Sequence, residues 1–348
     1  MRTTSDRGLW WPDPERLGAW RAIEPGGVPL HAAHRVDARS PANEFEAEID
    51  VELVCVDSTS YAELRRRSGD DPAQIAALIG RIVAEHGKLQ NPWTGSGGVL
   101  AGRLSRAGAR YDASPAHVGE LVVPLASLIA VPLELEHVGP VSVTTTHVPV
   151  RGRAIVTGAM QLATVGDELE LDVAISVLDV FPAASYACSL ARPGGHVLVL
   201  GAGHAGLLAL VAAREAVGAD GRVTAVDIAA DALERARRLD PAVAAIKADV
   251  SEALTVAGSL AAAGLARPDL TLVCTTVAGA EAAALLASAP DGRIVFFSTA
   301  TSFAAAALGA DAVGCAAQLI IPNGLTEDRG SYALGLVRRN GLLREFLS

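Results

Sequence analysis

Six consecutive residues, Gly201-Ala202-Gly203-His204-Ala205-Gly206, carry the most informative spacing in the chain. Glycine at the first, third and sixth positions suits a strand-to-helix turn built to receive a pyrophosphate. Gly201 permits the tight turn, Gly203 lets the backbone approach the phosphates, and Gly206 lets helix and strand pack closely. The flanks give the pattern its weight. HVLVL precedes it as an apolar strand, and LLALVAAREAV follows as a helix whose free N–H groups would point at the phosphates. A second strand then ends in Asp227, 26 residues after Gly201. Its carboxylate can accept from a ribose 2′-OH and would repel a 2′-phosphate, and Ile228-Ala229-Ala230 offer no arginine to compensate. NAD is therefore expected over NADP. The expected contacts are Gly201, Ala202, Gly203, Gly206 and Asp227, with His204 shaping the turn or touching phosphate. Ser298 and Thr299, at the end of the fifth strand, are expected near the nicotinamide.

Those residues need a scaffold, and the hydrophobic pattern supplies one. From about Leu171, apolar runs alternate with helical segments: HVLVLG (196 to 201), RVTAVD (222 to 227), AAIKAD (244 to 249), LTLVCT (270 to 275), GRIVFFS (292 to 298) and QLIIPNG (318 to 324). Continuous apolar strands separated by helices such as DALERARRL predict a doubly wound parallel sheet in an α/β fold. The first half differs. Short β-prone runs at 52–58, 98–108, 117–132 and 151–158, with turn residues between them, predict a compact antiparallel barrel-like domain. One helix interrupts it. Asp71-Pro72 supplies an N-cap and a first-turn proline, Ile75, Leu78, Ile79 and Ile82 recur at helical spacing, and Gly87 stops the helix. The expected domains are 1–170 and 171–324, with 325–348 packing back on the first.

A chain of 348 residues is long enough for two such domains. A net charge of −10 without a basic stripe argues against a nucleic-acid partner, since duplex binding needs clustered Lys and Arg. The longest apolar stretch, Gly195 to Val217, is broken by Gly201, Gly203, His204 and Gly206, so no membrane span is expected. Charges throughout the first twenty residues give no export signal, and a cytoplasmic location is expected. Cys55, Cys188, Cys274 and Cys315 lie far apart, as reduced, inert thiols would. Only two of the 29 basic residues are lysine, Lys88 and Lys247. Codon usage suffices to explain that bias, and a lysine that survives it is a candidate wherever an ammonium is needed.

A barrel-like domain ahead of such a sheet resembles the medium-chain dehydrogenase/reductase superfamily over nearly the whole chain. The resemblance implies a Rossmann domain with an N-terminal GroES-like β-barrel. Many members hold a catalytic zinc through an early Cys, a Gly-His-Glu segment and a later ligand. The corresponding stretch is Gly97-Gly98-Val99-Leu100-Ala101-Gly102, with glycine and valine in place of His and Glu, and there is no four-cysteine lobe. Zinc needs three or four converging ligands, so no metal is expected. Zinc in such enzymes polarises a neutral carbonyl, whereas an iminium carries its own positive charge and accepts hydride without a Lewis acid. Lack of zinc fits amine chemistry, and equally enoyl or quinone reduction.

The stretch Glu85-His86-Gly87-Lys88-Leu89-Gln90-Asn91-Pro92-Trp93-Thr94-Gly95-Ser96-Gly97-Gly98 is more specific. Together with Asp57-Ser58-Thr59-Ser60-Tyr61 upstream and 296–303 downstream, it resembles the L-erythro-3,5-diaminohexanoate dehydrogenase family, a zinc-free branch of that superfamily. The resemblance implies oxidative deamination of a 3,5-diamino acid to 5-amino-3-oxohexanoate, ammonium and reduced cofactor, as in lysine fermentation. Such a substrate needs a carboxylate for its ammonium, cationic or amide donors for its carboxylate, and a base. Lys88 is the candidate for the substrate carboxylate or for proton transfer. Asp57 is the candidate partner for an ammonium, with Glu85 and His86 in reserve, and Gln90, Asn91 and Ser96 are expected to supply neutral hydrogen bonds. The alternatives are a zinc-free quinone or enoyl reductase and a non-catalytic dinucleotide-binding protein. The expected partner is a small diamino or β-amino acid, and a homodimer is expected because exposed edge strands of such sheets often pair.

Overall fold

The computed structural model describes residues 14–297, 301–322 and 326–348, so the expected contacts Ser298 and Thr299 lie outside it. The chain divides into two compact units, 1–166 and 167–348. That boundary falls four residues from the expected one.

In the first unit, a short antiparallel pair, β1 (Ala22–Glu24) and β2 (Arg35–Val36), precedes a six-stranded antiparallel sheet. The strands are β3 (Ala47–Val56), β4 (Gly98–Ala107), β5 (Leu121–Pro124), β6 (Leu133–Val138), β7 (His147–Val156) and β8 (Leu162–Thr164), in the order β6-β7-β3-β4-β5-β8. Ile49, Val51, Val54 and Val56 of β3 join Leu100, Leu104, Val148, Val150 and Val156 in one buried core. Each fully buried aliphatic side chain contributes about 1.5–3 kcal/mol.

Two helices sit between β3 and β4, where one was expected. α2 (Pro72–His86) has the expected ends: Asp71 accepts from Ala73 and Gln74, and Gly87 closes it at φ 69°. No side chain fits at position 87, because a Cβ there would lie 2.1 Å from the Val36 carbonyl oxygen. α1 (Ser58–Ser68) was not expected, because its sequence STSYAELRRRS carries little apolar periodicity. Its only large buried side chains are Tyr61 and Leu64. The cap is what starts it, with Asp57 accepting from the Ser60 N–H at 2.9 Å.

The arm preceding β3 is fastened by a buried ion pair. The Arg21 guanidinium donates to both Glu46 carboxylate oxygens at 2.8 Å and also to the carbonyls of Asp37, Ser40 and Pro41. Both side chains are fully buried.

The second unit opens with α3 (Leu171–Leu190) and contains a six-stranded parallel sheet. Its strands are β9 (His196–Leu200), β10 (Arg222–Asp227), β11 (Ala244–Lys247), β12 (Leu270–Val273), β13 (Arg293–Phe296) and β14 (Gln318–Ile320), in the order β11-β10-β9-β12-β13-β14. All six expected strands are present. Crossover helices α4 (His204–Val217), α5 (Ala230–Leu239), α6 (Ala253–Ala262), α7 (Ala280–Ala287) and α8 (Phe303–Ala312) connect them. The order reverses at β9, between β10 and β12, which opens a crevice at the carboxyl ends of these strands.

α9 (Glu327–Arg339) and α10 (Gly341–Leu347) correct the expected course of the tail. They pack on α3, α4 and α5 within the second unit rather than returning to the first. The apolar face made of Ala333, Leu334, Leu336, Val337, Leu343 and Leu347 is buried there. Among the described residues α3 alone is long and apolar enough to cross a membrane, and most of it is buried as a core helix of this unit.

Removing one partner of a fully buried ion pair strands the other charge and costs about 3–5 kcal/mol. Arg21→Met should lower the urea midpoint of the first unit accordingly. A midpoint within experimental error of the parent would contradict the role given to this pair.

Candidate active site

The fingerprint loop is built as its glycines require. Gly201 adopts φ 91°, and a Cβ on it would lie 2.8 Å from the Cys274 carbonyl oxygen at the end of the neighbouring strand. A Cβ on Gly206 would sit 1.9 Å from the Gly201 carbonyl oxygen, so the first turn of α4 packs directly on the strand end. Gly203 differs: a Cβ there would meet nothing within 4 Å. Its face is open, as close approach of a phosphate to the backbone needs. His204 and Ala205 begin α4 with first-turn N–H groups, the positive end of the helix dipole.

Asp227 ends β10 beside this loop. One carboxylate oxygen accepts from the Ala202 N–H at 2.7 Å and the other from the Ala229 N–H at 2.8 Å. The side chain thus joins the fingerprint loop to the next turn, and each oxygen retains a lone pair for a further donor. The residues fit a dinucleotide.

A second polar cluster lies in the first unit, at the edge of the antiparallel β3–β4 pair where β3 finishes beside the start of β4. The chain leaves β3 at Asp57 and enters β4 at Gly98, with the Asp57 N–H donating to the Gly97 carbonyl at 3.3 Å. Gly98 has φ 113°, and a Cβ there would lie 2.0 Å from the Cys55 carbonyl oxygen. No side chain fits where the superfamily resemblance places a zinc-binding histidine. Among the described residues, no three His, Cys, Asp or Glu side chains form a group that could hold a metal ion.

Around this junction three hydroxyls close a ring. Ser60 Oγ lies 2.7 Å from both Thr94 Oγ1 and Ser96 Oγ, which are 3.1 Å from each other. Each O–H can donate once and accept once, so the ring satisfies itself when buried. Asn91 locks the loop onto α1. Its Nδ2 donates to the Ser60 carbonyl at 3.1 Å, and its Oδ1 accepts from the Trp93 and Thr94 N–H groups. Arg67 of α1 covers the Trp93 ring at 3.7 Å. Asp57 Oδ2 is buried and, among the described residues, has no hydrogen-bond partner.

The structure thus brings Asp57, Asn91 and Ser96 together and adds Ser60 and Thr94. Those two stand inside segments singled out by the sequence, but their hydroxyls have no local signal that marks them for a site. Lys88 is elsewhere. It is fully buried, and its ammonium donates to the carbonyls of Leu30 at 2.8 Å and Ile129 at 2.9 Å. Burial pushes its pKa down to about 8. This geometry gives Lys88 a bracing role between two turns and favours other groups for the substrate's carboxylate. Gln90 donates to the Gly95 carbonyl at 3.3 Å, and Glu85 is exposed on α2.

His86 ends α2 and is buried edge-on to His34, with ring centroids 4.5 Å apart. Burial, then the neighbouring His34, hold its imidazole below the ordinary histidine range. Both line a pocket of about 320 Å³ with His31, Gln90 and Asn91. His31 and His34 were not expected at any site, since no motif surrounds them.

Comparisons with known proteins show the family and the fold. The family defined by the L-erythro-3,5-diaminohexanoate dehydrogenase N-terminal domain matches residues 20–165. An L-erythro-3,5-diaminohexanoate dehydrogenase of Acetoanaerobium sticklandii is 32% identical over 334 residues, covering 94% of this chain and 96% of its own. One of Fusobacterium nucleatum is 31% identical over 338 residues, covering 96% and 97%. Among solved structures, the alcohol dehydrogenase TADH of Thermus sp. ATN1 superposes with a TM-score of 0.53 at 19% identity, covering 89% of this chain and 86% of that one. The shared fold is that of the medium-chain dehydrogenases, as the sequence predicts.

The two inner glycines should separate by experiment. Gly206→Ala pushes a methyl into backbone and should cost about 1–3 kcal/mol of stability. Gly203→Ala should leave the urea midpoint unchanged while weakening NAD binding, measured by titration calorimetry, by at least about tenfold, since its methyl occupies the face offered to phosphate. Equal effects on stability would contradict the geometry described.

Proposed function

Since the chain belongs to the L-erythro-3,5-diaminohexanoate dehydrogenase family and is a dehydrogenase, we propose that it converts L-erythro-3,5-diaminohexanoate, water and NAD⁺ to 5-amino-3-oxohexanoate, ammonium, NADH and a proton. The observation that carries this reading is Asp57 Oδ2, a buried carboxylate oxygen without a partner among the described residues. The side chain is half-buried, one oxygen accepts from the Ser60 N–H, and the other keeps its acceptor capacity open. An ammonium of the substrate would give that oxygen a charge-assisted hydrogen bond, roughly twice as strong as one from the neutral O–H of a hydroquinone, and an enoyl thioester carbonyl has no donor to offer.

The nicotinamide supplies an acceptor for the hydride leaving the carbon that bears the reacting amine. The chain's own residues do the rest. Asp57, fixed by the Ser60 N–H at the cap of α1, holds an ammonium at the end of β3. An aliphatic ammonium has a pKa of about 10, so freeing the amine at neutral pH costs about 4 kcal/mol. A carboxylate positioned to accept its proton lowers that cost. The Ser60–Thr94–Ser96 ring and Asn91 keep the loop in one shape, so Asp57 faces a fixed wall. The positive charge developing on carbon and nitrogen resides on the substrate, and no side chain fits at position 98 to hold a metal there.

Asp227 decides the cofactor in this reading. Its carboxylate, held by the Ala202 and Ala229 amides, favours a ribose hydroxyl and repels a phosphate. Four free cysteines fit the reduced cytoplasm proposed as its setting. β14 pairs only with β13 among the described strands and offers an edge for the homodimer.

Two kinetic results test this. Asp57→Asn should lower kcat/KM for the diamino acid on the order of 10²-fold, the loss expected when one member of a buried charge pair is removed. Turnover within twofold of the parent would remove Asp57 from the mechanism. NAD should be preferred over NADP by at least about tenfold, and Asp227→Ser should narrow that preference. An NADP preference in the parent would contradict the role given to Asp227.

A further inference from the structure

The substrate carries a carboxylate as well as two ammonium groups, and Asp57 can serve only the latter. Lys88 is fully buried with its ammonium bonded to two backbone carbonyls. The counterpart for the carboxylate must come from elsewhere.

We infer that the pocket lined by His31, His34, His86, Gln90 and Asn91 is the subsite that receives the substrate's carboxylate. This inference rests on the deamination reading above. Every polar side chain lining the pocket can donate an N–H, the remaining lining residues are alanine, proline and glycine, and no Asp or Glu is among them. Its volume of about 320 Å³ falls at the lower end of the range of about 300–1,000 Å³ typical of small-ligand pockets. A wall of three imidazoles and two amides with no carboxylate offers N–H donors to an anion and no opposite charge to an ammonium.

The ring geometry points the same way. His34 and His86 stand edge to face at 4.5 Å. His34 disfavours the charged form of His86, and a carboxylate lodged against the His86 ring offsets that effect. Glu85 acts on His86 in the opposite sense to His34, while Lys88 adds to His34's effect. Glu85 does not line the pocket, so it does not compete for the donors.

Asn91 ties this subsite to the ammonium site. It lines the pocket and also donates to the Ser60 carbonyl, while the Ser60 N–H donates to Asp57. One residue, Ser60, therefore separates the carboxylate-free pocket from the acid proposed to hold an ammonium. A chain with a carboxylate at one end and amines farther along matches that order of charges. The discrimination is chemical: the pocket reads the carboxylate, and Asp57 reads the amine.

The test compares 3,5-diaminohexanoate with its primary amide, 3,5-diaminohexanamide, as substrates for the full-length enzyme with NAD. The parent should prefer the acid by about 100-fold or more in kcat/KM, the order expected for a charge-assisted contact against a neutral one. His34→Ala and His86→Asn should each shrink the acid-to-amide ratio at least about tenfold, chiefly through KM for the acid. His34 is exposed, so its variant keeps the test valid even if His86→Asn fails to fold. An unchanged ratio in His34→Ala, with urea midpoint and NAD affinity equal to the parent, would overturn the subsite alone. A parent that turns over neither compound would overturn the deamination reading and the subsite with it.

Discussion

The carbonyl oxygen of Cys55 occupies the space that a side chain at position 98 would need, 2.0 Å from where its Cβ would stand. Much of the first unit's chemistry follows from that one steric fact. With no side chain between them, the end of β3 and the start of β4 come into direct contact, and Asp57 N–H reaches the Gly97 carbonyl. The helix that starts at Asp57 is thereby set against the loop that ends at Gly98. The same contact that creates the polar cluster excludes a metal-binding side chain from it.

The cluster is held by many small interactions rather than one large one. Three mutually bonded hydroxyls, an asparagine amide and the stacking of Arg67 on Trp93 join α1 to the 91–98 loop. Each net hydrogen bond is worth about 0.5–1.5 kcal/mol, but together they leave the loop little freedom. Against that rigid background, one carboxylate oxygen stays unpartnered among the described residues.

The second unit solves a different problem with backbone alone. Its loop presents N–H groups and an open glycine face, and the acid at the end of β10 bonds to that loop. Asp227 does this while bonded to two backbone amides, so the group that would read the ribose also fixes the loop that would read the phosphates. A change at Asp227 therefore alters both shape and charge.

Much was legible in the sequence by itself. The six parallel strands, the fingerprint at 201–206, the acid at 227 and both ends of α2 are local patterns, since apolar periodicity, caps and glycines act within a few residues. α1 escaped because a polar helix held by its cap has too little apolar periodicity to reveal it, and the tail was misplaced because an amphipathic helix does not say which surface it will cover. Only the tertiary structure put Asp57 against Gly97, ringed Ser60 with Thr94 and Ser96, buried Lys88 among carbonyls and set His34 beside His86. Those pairs are separated by between 36 and 58 residues in the cases of Ser60–Ser96 and Lys88–Leu30. Contacts across such separations depend on how strands and helices pack, which no short stretch of sequence encodes.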